Sequence, residues 1–174
     1  MLWILIVARV LHILGGIFWV GSVLTSVLFL KPAAATTGSA GERVLGEIIK
    51  RRHLTNVMTA SAVTTVLAGG YLYWNDSGGL QLGWITTHTG LAFSAGAIAA
   101  LSAFVLAGVF IKPGDERLAD LADQAENASE HLDQGQSLQR EAERLAARLR
   151  PFNLVEAALL IFAAVAMATA RYIP

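Results

Sequence analysis

"RVLHILGGIFWVG", residues 9–21, sets an arginine and a histidine one helical turn apart inside an otherwise apolar run. From Leu2 to Leu30 no other residue ionises. A run of this length exceeds the ~20 residues that cross a ~30 Å hydrocarbon layer as a helix. An ionisable side chain within such a span is costly and by default marks a functional site. The run is too long for a secretory signal, and no clear small-residue cleavage pattern follows it. It therefore reads as a first transmembrane helix, and the remaining sequence has to account for Arg9 and His12.

Composition points the same way. The 174 residues are 55% hydrophobic with a mean hydropathy of +0.55. Only 15% are charged, against about 25% in soluble domains, and most of these fall in residues 42–52 and 112–150. The 13 Lys+Arg balance the 13 Asp+Glu, which leaves no basic footprint for a nucleic acid. The absence of cysteine excludes disulfides, iron–sulfur clusters, thiolate metal sites and thiol catalysis. A metal or cofactor would have to be held by His, carboxylate or Met. No dinucleotide fingerprint, phosphate loop, nucleophile elbow or zinc-protease motif occurs. The pairs Gly15-Gly16, Gly69-Gly70 and Gly78-Gly79 suit close helix packing or a turn.

Four apolar runs, residues 2–30, 53–74, 84–111 and 152–173, predict an all-α integral membrane four-helix bundle. It forms one membrane domain, with a helical cytoplasmic insert over 112–151. The first loop carries Lys31, Arg43, Lys50, Arg51 and Arg52, and the third carries Lys112, Arg117, Arg140, Arg144, Arg148 and Arg150. The second, "NDSGGLQLG", has no basic residue. The positive-inside rule then puts loops one and three in the cytoplasm and both termini outside, as in a bacterial inner membrane. Trp3, Tyr71, Tyr73, Trp74, Trp84 and Tyr172 fall at the outer interface, where aromatic rings concentrate.

In "ERVLGEIIKRR" the residues Val44, Leu45, Ile48 and Ile49 share a face, which predicts a short surface helix. Residues 115–150 read as two short helices folded back at Gly135, or one kinked helix, docked at the membrane surface. A dimerising coiled coil, and so a homo-oligomer, is the alternative. His131 reads as solvated.

His12 lies ~15 Å below Leu2 and His88 ~6 Å below Trp84 at 1.5 Å per residue, so both belong to the outer half. Two histidines on different helices suit axial ligation of a haem iron. Gly15, Gly16 and Trp19 near His12, and Trp84, Leu91, Ala92 and Ala95 near His88, would line the flat ring. A zinc or copper ion would need three or four converging ligands. Arg9, and Arg171 at the outer end of the fourth helix, would meet the haem propionates. The alternatives are a structural polar pair with Arg9 snorkelling to headgroups, or a metal or proton pathway. His53 reads as an interfacial residue before a second cofactor ligand. Glu156 is expected to pair with Arg52 or His53, or to relay protons.

"RVLHILGGIFWVG" resembles the first helix of the bacterial membrane-bound, haem-binding protoporphyrinogen oxidases and of the related copper-resistance D-type domains. "RRHLTNVMTASAVTTVLAGG" and "GWITTHTGLAFSAG" are similar to the second and third helices of the oxidases. The resemblance covers residues 9 to about 105 in the right order. It implies that His12 is a haem ligand. His88 falls where the oxidases have a lysine important for activity, a departure that favours two-histidine ligation over oxidase activity. The insert has no counterpart in that family.

The expectation is a b-type haem protein with His12 and His88 as axial ligands. Its role would be electron transfer, or redox chemistry on a lipid-soluble or small substrate, with a quinone or a redox protein as partner. An oxidase-like enzyme of haem synthesis, a copper transporter and a structural subunit are the alternatives. With no Cys and only Met1, Met58 and Met167, soft copper would lack its preferred sulfur ligands.

Overall fold

Prolines mark where the apolar runs change pitch. In a computed structural model, which describes residues 2–128 and 132–173, helix α1 (Leu2–Thr25) widens into a π-helical turn at Ser26–Leu30. It then continues as α2 (Lys31–Thr37). Pro32 has no N–H and crowds the carbonyl four residues back, so an ordinary α-turn cannot form there. The Lys31 N–H reaches back five residues to the Ser26 carbonyl instead. The same device recurs in the third apolar run. Helix α6 (His88–Leu106) passes through a π-turn at Ala107–Ile111 into α7 (Lys112–Asn127), the Lys112 N–H bonds Ala107 O, and Pro113 follows.

Helix α3 (Ser39–Gly46) leads through a third π-turn, Glu47–Arg51, to His53, whose φ of 53° starts α4 (Leu54–Asp76) in a new direction. Gly78 and Gly79, both at positive φ, reverse the chain towards the short α5 (Leu82–Ile85) and α6. Helix α8 (Leu132–Thr169) carries Pro151 in its interior and ends in a 3-10 turn, Ala170–Tyr172. All these elements are helical.

Two of the expectations for the polar segments 42–52 and 112–150 do not hold. Residues 112–127 and 132–150 are not a separate hairpin lying on the membrane. They prolong the third and fourth apolar helices and pack against each other. The chain does not fold back at Gly135, which lies inside α8. Between them Ala119, Leu121, Ala142 and Leu149 are buried. Gly114 has no side chain because a Cβ would come within 2.6 Å of Leu149. In the expected surface helix, Leu45 is half-buried on α3, which packs on α2 and α7, and Ile48 and Ile49 are half-buried in the following π-turn, which packs on α4 and α7, but Val44 is 62% exposed. His131 lies outside the described residues.

Leu2–Thr37, His88–Ala125 and Asp133–Tyr172 are each long and apolar enough to cross a membrane. Helix α4 is diluted by Thr55, Thr59, Ser61, Thr64, Thr65, Gly69 and Gly70 and falls outside that set. The bundle is two antiparallel pairs, α1 with α4 and α6 with α8. Small residues set both close approaches. A Cβ on Gly15 would meet Thr65 Oγ1 at 2.6 Å, and one on Gly96 would meet Met167 at 2.9 Å. The pairs join through a core of Trp19, Val23, Ala62, Ala103, Ala157 and Leu160, with Trp19 edge-on to Phe104 at 6.2 Å. One end of the bundle, the terminal end, holds Leu2, the Ser77–Gln81 turn and Tyr172. The distal end leads into the α2, α3, α7 and α8 extension.

Candidate functional site

At the distal end the three long helices meet around one buried polar cluster. Lys31 Nζ donates to Asp115 Oδ1 at 2.8 Å, to Asp115 Oδ2 at 2.9 Å and to Asn153 Oδ1 at 2.8 Å. Asn153 Nδ2 donates to the Leu149 carbonyl at 2.9 Å. Glu156, one turn further into the bundle on α8, is 4% exposed, and Asn153 is 5% exposed. The Trp19 indole N–H lies within hydrogen-bonding reach of the Glu156 carboxyl, and Lys31 and Asp115 are the charges that act on it.

The placement follows from the prolines. Lys31 directly precedes Pro32, Asp115 follows Pro113 by two residues, and Asn153 follows Pro151 by two. Each helix thus offers one polar side chain at its own irregular turn, and the three bind each other.

The residue pattern alone does not reveal this cluster: it makes Lys31 a loop charge and Asp115 the start of a surface helix, and gives Asn153 no role. Glu156 pairs with neither Arg52 nor His53. Arg52 stands 3.9 Å from Glu47 and His53 is exposed. The signal present in the sequence was the repeat "FLKP" and "FIKP" (residues 29–32 and 110–113), each closing an apolar run, with Glu156 as the only carboxylate inside one.

In the terminal half, His12 is half-buried between α1 and α4, and its Nδ1 lies 2.9 Å from the Thr65 carbonyl oxygen. A carbonyl only accepts, so Nδ1–H donates, and in the neutral ring Nε2 then keeps its lone pair. That is the tautomer in which a histidine ligates a metal. Gly69 makes room for the ring, since a Cβ there would approach His12 Cε1 at 2.7 Å.

The other expected haem-site residues lie elsewhere. Gly15 and Gly16 pack against Thr65, and Ser61 Oγ donates to Gly15 O at 2.8 Å. Trp19 is in the core. Arg9 is exposed, and Arg171 lies 3.8 Å from Asp76. His88 is exposed at the first position of α6, whose start is capped by the Thr87 hydroxyl accepting from Gly90 N–H at 3.0 Å.

Register separates the two histidines. Tyr73 Oη and Ser94 Oγ, 2.6 Å apart, tie α4 to α6 at one level. Gly69, beside His12, lies four residues to the distal side of Tyr73, and His88 six residues to the terminal side of Ser94. At 1.5 Å per residue the imidazoles are on the order of 15 Å apart along the bundle. A haem held between His12 and His88 of one chain does not fit. Of the two histidines, His12 is the one that could hold such a group, being half-buried and oriented by Thr65, whereas His88 is exposed. Among the described residues no three His, Cys, Asp or Glu converge as for a bare metal ion.

The chain matches no protein-family model, no curated protein and no solved structure.

Proposed function

We propose that this chain is a four-span membrane protein that binds b-type haem through His12 and carries out redox chemistry in the outer half of a bacterial inner membrane. Helix α4 would supply the fourth crossing. Its 23 residues make ~35 Å at 1.5 Å each, with no charge before Asp76. The loop charges support termini on the outer side.

The observation that carries the reading is the contact of His12 Nδ1 with the Thr65 carbonyl at 2.9 Å, which leaves the Nε2 lone pair of the neutral ring to bind a metal. The resemblance of residues 9–21 to the haem-binding oxidases supports the same ligand. Arg9, one turn towards the terminal end, has the charge to meet a propionate. Haem would supply one-electron chemistry. Held by His12 alone, haem would supply chemistry on a small or lipid-soluble substrate rather than electron carriage alone. A quinone or a redox protein would be the partner.

Visible spectra of the purified protein, oxidised and reduced, test the reading. The wild type should show a b-type haem with high-spin character. His12→Ala should lose it, while His88→Ala should keep it. A colourless wild type after expression with ample haem supply would sink the proposal, and loss of haem in His88→Ala alone would return the ligand to α6.

A further inference from the structure

The distal cluster holds one cation and two carboxylates. Lys31 has three N–H donors, and all three are in use, two on Asp115 and one on Asn153. Glu156 receives no hydrogen bond from Lys31 in this arrangement, and its partner in reach is the Trp19 indole. The charged groups facing Glu156 are Lys31, from the first long helix, and Asp115, from the third. From helix α4, among the described residues, the adjoining core receives Met58, Ala62 and Val66, none of them charged.

With both carboxylates ionised, the cluster carries a net −1, and Glu156, the carboxylate without a cation bonded to it, is the one shielded from water at 4% exposure. An unpaired buried charge of that kind is costly. Either a metal cation or a proton would cancel it. A hard cation needs roughly six oxygen ligands, yet both Asp115 oxygens and Asn153 Oδ1 are already committed to Lys31. A proton needs a single oxygen.

We infer that Glu156 is a proton-binding site, loaded and emptied beside the Lys31–Asp115 pair. On loading, one carboxylate oxygen uses a lone pair to form an O–H bond. On emptying, that pair returns to the oxygen and the proton leaves, with no electron transferred. Lys31 and Asp115 side chains, 23% and 14% exposed, form the side of the site that opens towards the extension. When Glu156 is ionised, Lys31 has two carboxylates to serve and its hold on Asp115 weakens. Proton occupancy is thereby coupled to the contact between the first and third helices. None of this rests on haem at His12.

Infrared difference spectra of the full chain in lipid vesicles, recorded from acidic to alkaline pH, test the inference. A protonated-carboxyl C=O band, slow to exchange in heavy water, should rise on acidification. It should shift when glutamate is 13C-labelled and vanish in Glu156→Gln. In Asp115→Asn the site already balances, so the band should need more acidic pH. In Lys31→Met it should persist to more alkaline pH. A wild type without a glutamate-label-sensitive band overturns the proposal, and the labelling needs no variant to fold. An unchanged band in Glu156→Gln, or no displacement in the other two variants, overturns it as well.

Discussion

Gly69 and Gly70 are chemically identical neighbours in α4, yet they stand in opposite situations. A Cβ at Gly69 would meet His12 Cε1 at 2.7 Å and Nδ1 at 2.8 Å, whereas at Gly70 nothing lies within 4 Å. Gly69→Ala should push the imidazole off the Thr65 carbonyl, costing about 1–2 kcal/mol for the overpacked contact and the lost hydrogen bond. Gly70→Ala should be neutral, or more stable by up to about 1 kcal/mol, because alanine is the better helix former. Thermal unfolding of both variants in detergent separates them. Under the haem reading only Gly69→Ala should also lose haem, and equal behaviour of the two would deny that His12 is held where α4 places it. His12 itself was legible in the sequence, since an ionisable residue in an apolar run has few neutral explanations. Its partner was not, because a backbone carbonyl leaves no mark in the sequence of α4.

At the scale of elements, the two Lys-Pro junctions and Pro151 make the helices irregular where they also bind each other. Asp115 and Asn153 could not be recognised as buried, since charge and amide side chains at the ends of apolar runs ordinarily face water. They become interior only because α7 and α8 run on past those ends and pack together, a fact of tertiary structure. The amphipathic patterns were visible, but they fit a hairpin lying on the membrane equally well. Lys31→Met removes the cation of the cluster, leaves the Asp115 carboxylate and Asn153 Oδ1 without their donor, and leaves Glu156 facing Asp115 with no positive charge beside it. Breaking a buried ion pair costs 3–5 kcal/mol, and the partial exposure of this pair points to the low end, about 3 kcal/mol. Asp115→Asn keeps an acceptor for Lys31 and leaves one cation facing one carboxylate, so its loss should be smaller. Lys31→Met with Asp115→Asn should recover part of the single-variant loss. Equal destabilisation by the two single variants, read from thermal unfolding, would mean that the charge balance is not what holds these helices.

For the whole molecule, the decisive question is which side of the membrane each end faces. The fold puts Leu2, the Ser77–Gln81 turn and Tyr172 at one end and the extension at the other, because α1 pairs antiparallel with α4 and α6 with α8. Three helices have the length and apolar character to cross a membrane, and the odd one out, α4, decides whether the termini share a side. If α4 crosses, the basic residues at 31–52 and 112–150 gather on one face, which the positive-inside rule assigns to the cytoplasm. If it only lies against α1 within the bilayer, the alternation fails and the ends are separated. A cysteine placed after Tyr172 and another near Leu2 should both react with a membrane-impermeant thiol reagent added to intact cells. A cysteine at Gly135 should react only after the membrane is opened. The chain has no native cysteine to confuse the labelling. Labelling of Gly135 from outside would invert the molecule and put the Glu156 site on the outer face. Termini labelled from opposite sides would remove α4 from the count of crossings, and with it the common depth at which His12 meets Thr65 and Gly69.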